Sequence, residues 1–223
     1  MPKHLQRELE KIKKSILTLG AMVEDRVRLA IKSIDGRDAD IAEHIVKMDY
    51  EIDEMEVDIE EECLKVLALY QPVAVDLRFL ACVIKINNDL ERIADEAVNI
   101  AYRVKTISKD KFSEFIFDYA NMAEKAETML RLSLDALIQM DTDLAFKVCL
   151  GDDEVDEFVK QAYEQLKISI SKMPDKTGAF INMFLISRHI ERIADHATNI
   201  AEEVIYLTEG EIVRHGKGLL EPT

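Results

Sequence analysis

Two stretches of this chain, one hundred residues apart, are nearly identical. Residues 91–101 read ERIADEAVNIA and residues 191–201 read ERIADHATNIA, so nine of eleven positions match. A repeat of this length indicates one structural unit that occurs twice, which restricts the folds open to the chain. The matched positions include two acidic pairs, Glu91 with Asp95 and Glu191 with Asp195. Like charges four residues apart on a helix repel by roughly 0.2–0.5 kcal/mol. Because this repulsion occurs in both repeats, we expect something to offset it, and a bound cation is the most specific hypothesis.

The spacing of apolar residues predicts helix along nearly the whole chain. Near the start, Leu5, Leu9, Ile12, Ile16 and Leu19 follow one another in steps of four and three, and later segments repeat this spacing. Such spacing is typical of long helices packed side by side, and no segment alternates as a β-strand does. The predicted fold class is therefore all-α, with two repeated three-helix bundles. Breaker residues place the six helices at 4–34, 38–70, 74–107, 113–140, 143–172 and 177–208.

The repeat also suggests a division of the chain. We expect the first three-helix repeat at residues 1–110, the second at 111–210, and a loose tail at 211–223. The tail contains glycine and lacks a core pattern. Because the two repeats are briefly linked, we expect no independent motion between them.

Charge and cysteine content limit the possible partners and compartments. The net charge of −15 repels phosphate backbones and argues against nucleic-acid binding. Cys63, Cys82 and Cys149 have no CxxC spacing, which is typical of buried free thiols in a reducing compartment. The N-terminus is too charged for a signal peptide, and the longest uncharged stretch, 177–187, is shorter than the roughly 20 residues of a membrane span. We expect a cytoplasmic protein without a membrane span.

Further acidic pairs at the same spacing predict two cation sites. If the second and third helices fold back at Pro72, Asp53 lies opposite Glu91 and Asp49 lies opposite Asp95 at one height. The second hairpin, which turns near residues 173–174, groups its acidic pairs in the same way. Four carboxylates at one level form an oxygen-rich donor set for a hard cation. The predicted metal ligands are Asp49, Asp53, Glu91, Asp95, Asp152, Asp156, Glu191 and Asp195.

A simpler interpretation stays open beside this one. Acidic pairs are common in a chain with 44 Asp and Glu residues, and most such pairs line a solvated face. Arg92 and Arg192 are also repeated and could neutralise neighbouring acids. Four pairs in register across two repeats nevertheless favour the metal interpretation. His189 and His196 have no histidine counterpart in the first repeat, so we interpret them as satisfied by neighbours rather than as ligands.

The motifs of common enzyme classes are missing from the sequence. It has no GxSxG elbow, P-loop or HExxH, and it lacks the ExxH pairs of di-iron bundles. Nothing supplies an activated nucleophile or a poised general base. We predict that the chain is not an enzyme.

Taken together, these residues resemble the PhoU family of phosphate-transport regulators. The similar segments are ALYQPVAVDLRFL (68–80), LERIAD (90–95), IERIADHATNIAE (190–202) and YLTEGE (206–211). The resemblance covers about residues 5–212. It implies a negative regulator of phosphate uptake and of the phosphate-starvation response. Such a protein is an adaptor between the ATPase subunit of the phosphate ABC transporter and a phosphate-sensing histidine kinase, and it is often a homodimer.

The resemblance also bears on the metal and on the partner surface. Some members carry multinuclear iron or zinc clusters on (D/E)xxxD motifs, which implies the eight carboxylates named above as ligands; nickel and calcium are alternatives. The second repeat reads MPDKTGAFINMFL where the first has QPVAVDLR, so that segment occurs once. If it touches a partner, the contact involves Asp76 and Arg78. Two competing functions are a metal-storage or redox bundle, against which the missing ExxH motifs count, and a structural helical adaptor whose carboxylates bind nothing specific.

Overall fold

The computed structural model describes residues 3–109 and 116–211, and this part of the chain is helical with no β-strand. The predicted all-α fold class is confirmed, and all six predicted helices are present, the second of them interrupted. A 3₁₀ turn at Pro174–Lys176 separates the last two helices. The helices are α1 (Lys3–Gly36), α2 (Ala39–Lys47), α3 (Tyr50–Tyr70), α4 (Val75–Ile107), α5 (Tyr119–Gln139), α6 (Thr142–Lys172) and α7 (Thr177–Glu209).

The interruption lies at Met48 and Asp49, between α2 and α3. Arg26 of α1 is 4% exposed and reaches the carboxyl end of α2. Its guanidinium donates to the carbonyl oxygen of Ile45 at 2.9 Å and to that of Met48 at 3.2 Å. These carbonyls therefore have a partner outside their own helix, and the chain starts a new helix at Tyr50. The break places Asp49 at the N-cap position of α3.

Some predicted boundaries fall outside the described residues. The predicted start of the fourth helix, at 113, and the predicted repeat boundary at 110–111 both lie there, as does the tail from residue 212 onward. Helix α5 itself begins at Tyr119 because the Asp118 carboxylate accepts a hydrogen bond from the backbone N–H of Ala120 at 3.1 Å, which caps the helix.

The two repeated helices, α4 and α7, make the most extensive contact between helices. They run antiparallel, since Asp89 of α4 meets His196 of α7 while Arg103 of α4 meets Asn182 near the start of α7. Buried apolar residues of both repeats belong to one hydrophobic core, as shown by Ile93 of α4 and Ile193 of α7. The acidic pairs therefore lie at the edges of a shared core.

Candidate metal centres

The first candidate centre lies where the start of α3 runs beside α4. Asp49 is the N-cap residue of α3 and Asp53 lies in its first turn, while Glu91 and Asp95 lie one turn apart on α4. The charges of Asp53 and Asp95 both act on Asp49, and the charge of Asp53 also acts on Glu91 and Asp95. The fold thus brings the four predicted carboxylates of this hairpin into one electrostatic neighbourhood.

The surroundings of the first centre disfavour its negative charges. Burial raises the pKa of Asp49, and the nearby charges of Asp53 and Asp95 raise it further. Burial also raises the pKa of Glu91 and of Asp95, and the guanidinium of Arg92 only partly opposes this. Arg92 is half-exposed and stands 3.4 Å from Glu91 and 3.3 Å from Asp95. The first centre therefore holds more negative charge than its own side chains neutralise.

The second candidate centre has the same design on α6 and α7. Burial and the charges of Asp195 and Asp156 raise the pKa of Asp152 to about 6. Burial raises the pKa of Glu191 as well, against the opposing charge of Arg188, whose Nη1 lies 2.5 Å from Glu191 Oε1. Burial and Asp156 likewise raise the pKa of Asp195. All four predicted carboxylates of the second hairpin therefore act on one another.

Several carboxylate oxygens in the two centres are buried and accept no hydrogen bond. They are Oδ1 of Asp49, Oε2 of Glu91 and Oε2 of Glu191. A buried acceptor without a donor is costly, and an ion is one of the few explanations for it. The donor chemistry thus fits a cation. The geometry is not preset, because no three Asp, Glu, His or Cys side chains in the described segments converge as a ligand set does.

One acidic residue of the first centre escaped the sequence analysis. Glu56 lies one turn beyond Asp53 on α3, its charge raises the pKa of Glu91, and its own pKa is raised by burial and by Glu60. Asn87 of α4 donates to the Glu56 side chain at 3.2 Å. With Asp53 aligned to Asp156, the second repeat has Val159 at this position. Because Glu56 is not repeated, a search based on the repeat passes over it.

The two histidines beside the second motif connect the repeats. His189 Nδ1 lies 2.6 Å from Glu96 Oε2, and His196 Nδ1 lies 2.9 Å from Asp89 Oδ1. Glu96 also receives Arg192 Nη1 at 3.0 Å. Each histidine thus meets an acid across the α4–α7 contact through Nδ1, as expected of residues paired with neighbours, while Nε2 of His189 is buried and has no hydrogen-bond partner among the described residues.

The predicted partner residues lie at the turn between α3 and α4, and both are half-buried. The guanidinium of Arg78 lies 5.9 Å from the ring centre of Tyr206 and packs against Gly210, at the end of α7. Beside the exposed Gln71, four large apolar side chains face outward here and are 46% to 75% exposed. We call them the turn surface: Leu69, Val73, Val75 and Leu77. Sequence reasoning selected the charged residues of this segment, whereas the structure exposes its apolar ones.

None of the helices in the described part of the chain is both long and apolar enough to cross a membrane.

The fold and the two carboxylate centres define an all-α protein built from two similar three-helix repeats, with acidic pairs at corresponding places. The PhoU domain model matches residues 16–104 and again residues 119–204. The chain belongs to the PhoU domain family. This confirms the resemblance noted in the sequence.

Relatives match over nearly the full chain. A phosphate-specific transport system accessory protein PhoU homolog from Aquifex aeolicus is 39% identical, over 95% of this chain and 96% of that protein. One from Clostridium acetobutylicum is 34% identical, over 95% and 97%. The crystal structure of PhoU from Pseudomonas aeruginosa, 35% identical, superposes with a TM-score of 0.88 over 92% of this chain and 99% of that one. These relatives are named as accessory proteins, which agrees with the prediction that the chain is not an enzyme.

A second solved structure, 29% identical, is the phosphate transport system regulatory protein PhoU from Streptococcus pneumoniae. It superposes with a TM-score of 0.83 over 94% of this chain and 99% of that one.

Proposed function

We propose that the chain is an accessory protein of a phosphate-specific transport system and a negative regulator of phosphate uptake and of the phosphate-starvation response. The observation that carries the proposal is the match of both repeats to the PhoU domain, together with full-length relatives named for that transport system. It acts in the cytoplasm by contact with other proteins.

The partners in this proposal are the ATPase subunit of the transporter and a phosphate-sensing histidine kinase, with a second copy of the chain as homodimer partner. The turn surface supports an adaptor role, because exposed apolar patches commonly mark interaction sites. The sequence segment of this turn, QPVAVDLR (71–78), occurs in the first repeat and not in the second, so the chain has one such surface. Asp76 lies within this segment, and Arg78 supports it by packing against Tyr206 of α7.

The two carboxylate centres complete the proposal as sites for iron or zinc, with nickel or calcium as alternatives. The buried oxygens of Asp49 and Glu191 that accept no hydrogen bond support this assignment, as does Oε2 of Glu91, whose nearest cation is the half-exposed Arg92 at 3.4 Å. The ligands would be the four carboxylates of each hairpin, and Glu56 extends the first set. A bound cation supplies positive charge that offsets the repulsion within each centre. Cation binding would thereby tie α3 to α4 and α6 to α7.

The adaptor role is tested by exposed substitutions on the turn surface. We expect Val73→Asp with Leu77→Asp to release the transporter ATPase or the kinase in pull-downs from phosphate-replete cells, and to switch on a starvation-gene reporter in rich medium. Leu150→Asp, an exposed apolar position on α6, is the matched control and should leave the reporter silent.

Arg78→Glu should have the same effect as the turn-surface pair. Because this substitution also removes the contact with Tyr206, the melting temperature of the Arg78→Glu variant is measured together with its reporter activity. A silent reporter and retained partners in the Val73 and Leu77 double variant would place the interface elsewhere.

A further inference from the structure

A second, separate feature of α3 is the groove that it forms with α1. The groove has a volume of about 780 Å³. It follows α3 from Glu51 to Tyr70 and α1 from Glu8 to Ser15. At 100° per residue, Glu51, Glu54 and Asp58 lie on a different face of α3 from Asp53. The groove is therefore distinct from the first carboxylate centre.

The groove combines an apolar floor with acidic walls. Ile12 and Ile59 are buried beneath it, with Met55 and Val66 beside them. Six carboxylates and two lysines line it. Each lysine is already engaged within its own helix, Lys11 with Glu8 at 2.8 Å and Lys65 with Glu62 at 2.8 Å. The remaining carboxylates, and hence the excess negative charge, belong to Glu51, Glu54, Asp58 and Glu61.

The groove of the first repeat is more acidic than the corresponding face of the second repeat. With Asp49 and Asp53 aligned to Asp152 and Asp156, the positions of Asp58 and Glu62 are occupied by Gln161 and Gln165 in α6. The counterpart of Glu51 is Glu154, which pairs with Lys125 of α5. Glu54 and Glu61 have glutamates as counterparts, Glu157 and Glu164, but each of these lies near a lysine of its own helix, Lys160 at 3.6 Å and Lys167 at 2.7 Å. The corresponding face of the second repeat is thus less acidic. If the acidity of the groove followed only from the repeated fold, the corresponding face of the second repeat would be equally acidic.

We propose that the α1–α3 groove binds a basic amphipathic helix of a partner protein. Its apolar side chains would pack on the half-buried Met55 and Tyr70, above the buried Ile12 and Ile59, as in other helix-in-groove complexes. Its Lys and Arg side chains would face the acidic walls, where complementary charge steers association and fixes register. The α3 wall of the groove is about five turns long and the α1 wall about two, so a helix of about 18 residues would follow α3 and contact α1 over part of its length. The proposal needs neither the metal centres nor the transport role.

The test is fluorescence anisotropy with a labelled synthetic peptide of about 18 residues that carries Leu at helical spacing and Lys elsewhere. The control peptide has the same composition in scrambled order. We expect the amphipathic peptide to bind about tenfold more tightly than the scrambled one and to gain helicity on binding. Its affinity should fall as the salt concentration rises. Equal binding of both peptides would mean general attraction to an acidic protein and would overturn the proposal.

Charge reversal at corresponding positions of the two repeats locates the binding. Glu54→Lys with Glu61→Lys alters the groove, while Glu157→Lys with Glu164→Lys makes the same charge change on α6. We expect the groove variant to bind the amphipathic peptide about tenfold more weakly and the α6 variant to change affinity less than about twofold. Equal losses in both variants would contradict the groove assignment. If the chain is a dimer and only the groove variant is monomeric, the groove binds a second copy of the chain. That result would also overturn the proposal.

Discussion

Asp152 is the carboxylate of the second centre whose environment most opposes its charge. Burial and the charges of Asp195 and Asp156 raise its pKa to about 6, from an ordinary value of 3.8. Because the folded state holds this proton more tightly, it binds more protons than the unfolded chain between about pH 4 and pH 6. The charged side chain therefore lowers the free energy of unfolding above this window, and the penalty fades as pH falls through it.

We predict that Asp152→Asn stabilises the metal-free protein by about 1 kcal/mol at about pH 7.5, a value reduced from the full pKa shift because the residue is partly exposed. The gain should disappear at about pH 4, where the wild-type carboxyl is protonated. Urea unfolding in the presence of a chelator measures both values. Asp153→Asn, at the exposed neighbouring position, is the control. If Asp152→Asn brings no gain at neutral pH, the centre is better solvated than its burial implies.

At single residues, the repeat made the acidic pairs visible in the sequence, whereas residues without a counterpart left no such pattern. The acidic pairs stand at corresponding places in both repeats, so their spacing alone places them on facing helices. Glu56 has Val159 as its counterpart, and no pattern distinguishes it from the many other glutamates. The packing of Arg78 on Tyr206 joins distant parts of the chain, so local sequence carries no sign of it.

At the scale of elements, the break between α2 and α3 decides where Asp49 lies. Arg26 holds the carbonyls of Ile45 and Met48 at that break. We predict that Arg26→Met lowers the free energy of unfolding by about 2–3 kcal/mol, because the buried carbonyls lose charge-assisted hydrogen bonds. The measurement is urea unfolding. Arg28→Met is the control, since Arg28 is 61% exposed and its loss should cost much less.

Arg26→Met should also alter the first carboxylate centre more than the second. Of the predicted ligands, only Asp49 lies at the break that Arg26 stabilises. A stability loss equal to that of Arg28→Met would show that water satisfies the carbonyls as well as Arg26 does.

Helix ends set by local chemistry were predictable, whereas this break was not. Asp38 caps α2 by accepting from the backbone N–H groups of Asp40 and Ile41, and the sequence analysis starts the second helix there. The residues around Met48 contain neither proline nor glycine, and apolar spacing continues through them. The partner of their carbonyls comes from α1, far back in the chain. A helix break that depends on a side chain distant in sequence cannot be predicted from the local sequence.

At the scale of the whole molecule, the antiparallel α4–α7 contact joins the two repeats through buried polar groups. Glu96 is 3% exposed and meets both His189 and Arg192 of α7. Burial alone would raise the pKa of Glu96, but the hydrogen bond from His189 and the charges of His189 and Arg192 lower it overall. This carboxylate is therefore held charged between the repeats.

We predict that Glu96→Gln lowers the free energy of unfolding by about 1–3 kcal/mol at neutral pH, because it removes the ion pair with the half-exposed Arg192 and leaves the His189 side chain at the α4–α7 contact without its carboxylate partner. Thermal or urea unfolding checks this value. Asp25→Asn, which removes an exposed acid of α1, should change stability by less than about 0.5 kcal/mol. A loss no larger than that of the control would mean that apolar packing alone holds the repeats together.

The repeat was enough to predict the fold class and the family, but not how the two halves meet. Helical spacing identifies the buried stripe of each helix, yet it does not say which stripe of α4 faces α7. His189 and His196 appeared in the sequence as differences between the repeats. In the structure each one meets an acid of the other repeat, which explains why both lie in the second copy.

Metal analysis of protein purified without chelator shows whether the paired carboxylates hold cations. We predict that the wild-type chain retains iron, zinc or another divalent cation at both centres. Asp53→Asn with Glu91→Gln should remove about half of the metal, because only the first ligand set is lost. Asp58→Asn with Glu62→Gln, two acids of the groove, is the control and should keep all of it. Full metal occupancy in the Asp53 and Glu91 double variant, or no metal in wild-type protein incubated with ferrous iron or zinc, would contradict the account.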